Sequence, residues 1–194
     1  MSAGFPGGFL QMAQDNTSSA SCHSMFGASD SLAHKTAAGG QASMGLATQP
    51  LFREAFRARR ALVPADWYFE WPFVPEDPSE KHPMLIRAQD HRILALAGIW
   101  DQHTTAEGQT EETFAIITVP AQPALQHIHQ RMPLVLDRSH WPLWWHPHAR
   151  RTHLEPCFQP ADFSWESFPV SPQVNSTRYD APEVILPWDG TIPD

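Results

Sequence analysis

Cysteine is nearly absent from this chain: its 194 residues include only Cys22 and Cys157. Two thiols are too few for a disulfide framework or a thiolate zinc site, so a reducing cytoplasm is the default setting. Long apolar runs are missing too. Nowhere do about eighteen apolar residues follow one another, so no membrane span is expected. The N-terminus lacks a basic segment followed by an apolar core, which removes a secretory leader from the expectation. Positive charge is scarce: 13 Lys and Arg against 21 Asp and Glu leave a net charge of −8. That balance argues against a protein that grips long duplex DNA by charge, although it leaves room for a small basic groove.

Proline and aromatic residues are abundant, with 19 Pro, 11 Phe and 8 Trp. So much proline predicts short elements and many loops around a core that one domain of this length can bury. Residues 1–49 stand apart. Gly, Ala and Ser fill 24 of the first 50 positions, and only Asp15, Asp30 and Lys35 are charged there. This composition reads as a poorly ordered N-terminal segment, with residues 50–194 forming the folded domain.

The chain is organised around Phe114–Leu136, which reads as strand, turn, short helix, turn and strand. Phe114 to Val119 is an apolar, β-branched run that Pro120 and Pro123 end. Leu125 and Ile128 fit one or two helical turns before Pro133, and Leu134 to Leu136 restart an apolar run. His129, Gln130 and Arg131 sit at the second turn, polar groups between buried segments.

Before that stretch, a short amphipathic helix begins at Leu51, with Leu51, Phe52, Ala55 and Phe56 on one face. Arg53, Arg57, Arg59 and Arg60 are the densest positive charge in the chain and read equally well as a solvated face. Ala61–Val63, Trp67–Trp71, Met84–Ala88 and Arg92–Trp100 read as strands, the last two about a turn at Gln89 to His91. Ala97-Gly98-Ile99 is a small-residue patch where another backbone can come close. Asp101 to Glu112 reads as a polar loop. Glu70 lies among Trp67, Tyr68, Phe69 and Trp71, where desolvation would raise its pKa, although a strand glutamate facing water is the plainer alternative. Asp137 or Ser139 can cap a helix through Trp141 to Trp145. Phe168–Val170 and Glu183–Leu186 read as closing strands, joined by a loop in which Asn175, Arg178 and Asp180 can pin backbone. His140, His146, His148 and His153 cluster, but without H-E-x-x-H spacing or paired carboxylates they read as surface residues. No metal and no cofactor is expected.

Phe52-Arg53-Glu54-Ala55-Phe56, RALVPADWYFEW from Arg60 to Trp71, Ala97 to Trp100, Phe114 to Thr118, IHQRMPLVL from Ile128 to Leu136, and PVSPQVNSTRYDAPEVILP from Pro169 to Pro187 follow one another in a recognisable order. Together they resemble the SRAP family of SOS response-associated peptidases, or abasic site processing proteins, over roughly residues 50–187. The resemblance implies a mainly β (α+β) fold with compact, barrel-like antiparallel sheets and a few short helices. It also implies a cytoplasmic, monomeric protein of the DNA damage (SOS) response whose partner is single-stranded DNA containing abasic sites. In that family the α-amine of a cysteine following the initiator Met attacks the ring-opened sugar to give an imine, and the thiol closes a thiazolidine. The result is a covalent protein–DNA crosslink, with associated peptidase and lyase activity. An α-amine with a pKa of about 8 keeps a neutral fraction that a lysine at about 10.4 lacks. By the same resemblance Glu70 and His129 are the catalytic residues, and Arg131 and Thr118 lie close to DNA.

The chain departs from the family at its start. It opens Met1-Ser2-Ala3-Gly4 where the family has Met-Cys-Gly-Arg, and Gly40 to Gly45 stand where the family carries an N-A-R-x-E-T segment. A hydroxyl in place of the thiol gives an oxazolidine, which hydrolyses far more readily. The expectation is therefore a frameshifted or divergent segment before residue 50, a domain with exposed sheet edges and low solubility, and a competing identity as an inactive remnant that at most binds single-stranded DNA. Cys22 is not expected to replace the missing thiol, because its amine lies within the chain.

Overall fold

A computed structural model describes residues 46–72, 82–176 and 181–190. The expectations for Cys22, Arg178, Asp180 and most of residues 1–49 lie outside them. Among the described residues the fold is mainly antiparallel β with short helices, as the resemblance implied, but its sheets do not close into a barrel. The first sheet has the order β1-β4-β5, from Arg60–Ala65, Leu94–Thr104 and Thr110–Ile116. The second has the order β2-β3-β8, from Tyr68–Glu70, Met84–Ala88 and Trp165–Pro169. A two-stranded ribbon joins β6, Thr118–Pro120, to β7, Arg131–Pro133.

Several sequence expectations are corrected here. Met84–Ala88 and the strand after it do not pair about their turn, because β3 and β4 belong to different sheets. His91 takes the left-handed conformation at that turn, with φ of 57°. Asp101 to Glu112 is not a loop: β4 and β5 run on as a hairpin, pairing Asp101 with Thr113 and Thr104 with Thr110. Its side chains are polar on both faces, so it carries no alternating apolar signal. The closing strand at Glu183–Leu186 is instead a 3-10 turn, Pro182–Ile185, as a proline at the first position favours.

The apolar run from Phe114 is divided at Ile117. Its N–H donates to Ala97 O (2.9 Å), while Leu134 N–H donates to Ile117 O (2.8 Å) and Ala97 N–H to Leu134 O (2.8 Å). Leu136 N–H then donates to Ala95 O, and Val135 bridges Leu96. Leu134–Leu136 is thus a buried seam along β4, with every one of its side chains withdrawn from solvent. Gly98 sits in the central strand where an added Cβ would lie 3.2 Å from the Val63 Cγ2 methyl, a side chain where a neighbouring backbone was expected. Pro64 is accommodated because β1 is an edge strand of its sheet.

Helix α1, Pro50–Ala58, buries Ala55 and Phe56, whereas Leu51 is left 62% exposed, off the face expected for it. Phe56, Trp144 and Phe158 form an aromatic triangle beneath the helix, with ring centroids 6.0 to 6.2 Å apart. Trp144 lies in α2, Trp141–Trp144. The Asp137 side chain caps the turn before it by accepting from Ser139 N–H at 2.8 Å. Helix α3, Arg151–Leu154, follows and adds Leu154 to the core.

Arg60 fastens these helices to the sheet. Its guanidinium donates to Phe56 O and Arg57 O at the end of α1, and to Trp144 O and His146 O at the end of α2. One planar cation thereby satisfies carbonyls at two helix C-termini, where the helix dipole favours positive charge. Arg60→Ala is expected to cost about 3 kcal/mol in urea unfolding, since charge-assisted bonds are lost and carbonyls stranded. Arg60→Lys should recover less than half of that, because an ammonium cannot match the fork. Arg57→Ala, on the exposed face, should stay within about 0.5 kcal/mol.

Candidate functional site

Glu70 ends β2 and is half-buried beside Tyr68, which occupies the same face of the strand two residues earlier. Removal from water pushes the Glu70 carboxyl above its ordinary value of 4.5, against the opposing pull of His129 and a hydrogen bond from Trp71 N–H. Glu70 and His129 are therefore electrostatic neighbours. They come from different parts of the fold: Glu70 belongs to the β2-β3-β8 sheet and His129 to the loop entering β7.

That loop has a compact internal logic. Pro123–Leu125 makes a 3-10 turn, and the N–H groups of Ile128 and His129 both donate to Leu125 O. Leu125 and Ile128 anchor it in the core. Gln130 is held through its backbone, its carbonyl accepting from Ala121 N–H at 2.9 Å. The His129 ring is steered by the backbone two residues on. Its Nδ1 lies 3.0 Å from Arg131 O and 3.1 Å from Arg131 N. A protonated Nδ1 donates to the carbonyl, whereas an unprotonated Nδ1 accepts from the amide, so both tautomers have a partner.

Arg131 and Thr118 form one unit across the β6–β7 ribbon. Arg131 Nε donates to Thr118 Oγ1 at 2.9 Å, and its Nη2 donates to Thr118 O at 2.5 Å. Burial lowers the arginine's pKa from its ordinary value but leaves it a cation in water near neutral pH. Glu70 and His129 thus come together as one polar pair and Arg131 with Thr118 as another, linked through the Arg131 backbone.

Some contacts around Glu70 were not legible from sequence. The Tyr68 hydroxyl is buried without a hydrogen-bond partner among the described residues, and burial followed by the Glu70 charge raises its pKa. Its aromatic neighbours in the sequence masked it as ordinary packing. Asn175, expected to pin backbone, instead accepts from the Trp71 indole N–H at 2.9 Å, tying the end of β2 to the turn after β8. No cluster of three metal-ligating side chains occurs among the described residues. Cys157 is buried, and desolvation pushes its thiol above the ordinary value.

A carboxyl kept from water, an imidazole beside it and a guanidinium on β7 are thus gathered from separate antiparallel sheets. The chain belongs to the SOS response associated peptidase (SRAP) family, whose family model matches residues 30–177. It is 33% identical over 142 residues to the abasic site processing protein YoqW of Bacillus subtilis, an overlap covering 72% of this chain and 62% of that protein. It is 30% identical over 155 residues to the abasic site processing protein HMCES of Gallus gallus, covering 71% of this chain and 46% of that one. The chain therefore spans less than two thirds of the length of either relative. A crystal structure of a protein from Bacteroides thetaiotaomicron superposes with a TM-score of 0.66 at 25% identity, covering 75% of this chain and 64% of that one.

The raised carboxyl gives a direct test. Unfolding returns Glu70 to its ordinary value of 4.5, so the folded state holds its proton more tightly. Stability from this group is full below the unfolded value and is lost as pH climbs through the folded one. Glu70→Gln should therefore melt above the parent near neutral pH and match it below about pH 4. A variant no more stable than the parent near neutral pH would contradict the desolvation.

Proposed function

We propose that this chain processes abasic sites in single-stranded DNA, with Glu70 and His129 as the catalytic residues and Arg131 and Thr118 at the DNA. The observation that carries this reading is the desolvated Glu70 carboxyl beside His129, which is in turn held by the backbone of Arg131. Relatives named abasic site processing proteins support the choice of substrate.

In this reading the sugar of an abasic nucleotide enters between the two polar pairs. His129 moves the proton that opens the sugar ring, and Glu70 shuttles protons as an amine adds to the aldehyde and water leaves. A carboxyl with a raised pKa suits that shuttle because it holds and releases a proton closer to neutral pH. Arg131 supplies positive charge for a flanking phosphate, and its bonds to Thr118 fix its plane. The finer proposal adds a covalent protein–DNA crosslink, with peptidase and lyase chemistry in the SOS response, carried out by a cytoplasmic monomer.

Binding without crosslinking is the alternative. It is favoured by one observation: the single thiol among the described residues, Cys157, is buried and raised in pKa, so it offers no nucleophile.

Incubation with an oligonucleotide bearing one abasic site, with and without borohydride, separates the readings on a denaturing gel. A shifted band without reductant is expected if the stable crosslink forms, and a band only with reductant identifies an imine. No band in either lane rejects covalent chemistry and leaves binding alone. Where a band forms, Glu70→Gln and His129→Ala should each slow its appearance about a hundredfold, the usual scale of a lost general acid or base.

A further inference from the structure

We propose a second nucleic-acid contact, separate from the Glu70–His129 site: a basic cleft between α1 and α3 that holds the phosphodiester backbone of a single strand. Arg53, Arg57 and Arg60 line it from one side and His148, Arg150 and Arg151 from the other, around about 420 Å³. Five of the chain's 11 arginines converge here, although the whole chain carries a net charge of −8. The cleft shares no residue with Glu70, His129, Arg131 or Thr118.

The charges are poorly compensated. Glu54 serves both Arg53 and Arg57, and Glu155 lies 3.5 Å from Arg151. Arg60 contacts carbonyls, and its guanidinium is half-buried without a carboxylate against it. Arg150 has no carboxylate partner among the described residues. Elsewhere the protein pairs its arginines differently: Arg59 with Asp101, Arg87 with Glu166 and Arg92 with Asp90. Two segments almost a hundred residues apart thus bring like charges together, an arrangement whose self-repulsion a polyanion relieves.

The neighbouring surface selects the kind of polyanion. Trp145 is 62% exposed, and it lies between Trp144 and His146, whose carbonyls fasten Arg60. An exposed indole beside an arginine cluster provides a stacking face next to phosphate contacts, the pairing that suits unstacked bases of a single strand. This inference rests on the proposed function only for the identity of the polymer, because it concerns undamaged nucleotides away from the abasic sugar.

The test is fluorescence anisotropy with an undamaged single-stranded oligonucleotide and the full chain. The variants are Trp145→Ala and the triple change Arg53→Gln, Arg150→Gln, Arg151→Gln, all at exposed positions, so circular dichroism should match the parent. Trp145→Ala should weaken binding about tenfold, within the range for loss of one stacked base. The triple variant should lower the steepness of the log–log salt dependence by about two, at about 0.7 for each single-strand phosphate contact. Unchanged affinity and salt dependence in both variants would overturn the cleft, even if the parent still forms the abasic-site adduct. Weakened binding in the variants, alongside a parent that binds the strand but forms no abasic-site adduct, would sustain the cleft while rejecting the proposed chemistry. Equal affinity for duplex of the same length, or displacement of the strand by millimolar pyrophosphate but not by sulfate of equal ionic strength, would also overturn it. The first would show a general polyanion surface, the second a small-phosphate site.

Discussion

Three backbone hydrogen bonds, linking Ala97, Ile117 and Leu134, hold the architecture together. A buried amide without a partner is costly, so these three residues cannot move independently. The triangle ends one sheet at Ile116 and starts the ribbon at Thr118. It also draws Leu134–Leu136 along β4, and so fixes where the chain returns from its excursion through His129. The polar loop can be exposed at its tip because its two ends are locked into the core.

Arg60 performs the corresponding task for the helices. The tail of α1 and the tail of α2 each leave carbonyls with no helical donor, and both sets turn toward one guanidinium. The aromatic triangle of Phe56, Trp144 and Phe158 supplies apolar burial beneath that clamp. The helical layer is therefore tied to β1 by an ionic group and to the core by rings. Proximity of Cys157 to the same cation moderates the rise in its thiol pKa, without exposing it.

What was legible in sequence depended on how local the cause was. Met84–Ala88 is recovered with its observed bounds because its apolar run ends at a turn. The Asp137 cap was readable in part, because an aspartate two residues before a serine is a local device, but it closes the 3-10 turn Arg138–His140 and not the helix at Trp141. The break at Ile117 was not, since Phe114 to Val119 is uniformly apolar and its partner lies far along the chain. Arg60 was hidden for a similar reason: beside three other arginines it looked like part of a solvated face, and its acceptors at Trp144 and His146 are distant in sequence. For the candidate site, Glu70 was singled out by its aromatic surroundings and His129 and Arg131 by their place between apolar runs. Thr118 came only from family resemblance, and Tyr68 gave no signal beyond ordinary packing.

The two contacts at His129 Nδ1 carry one further consequence. An amide hydrogen and a carbonyl oxygen of the same residue, Arg131, stand within reach of a single ring nitrogen. The ring can exchange its proton between nitrogens while the surrounding backbone stays where it is. In the proton shuttle proposed for His129, such a setting would spare the backbone a rearrangement at each transfer. A rigid turn thus serves as a reversible one, its atoms fixed and only its hydrogens changing place.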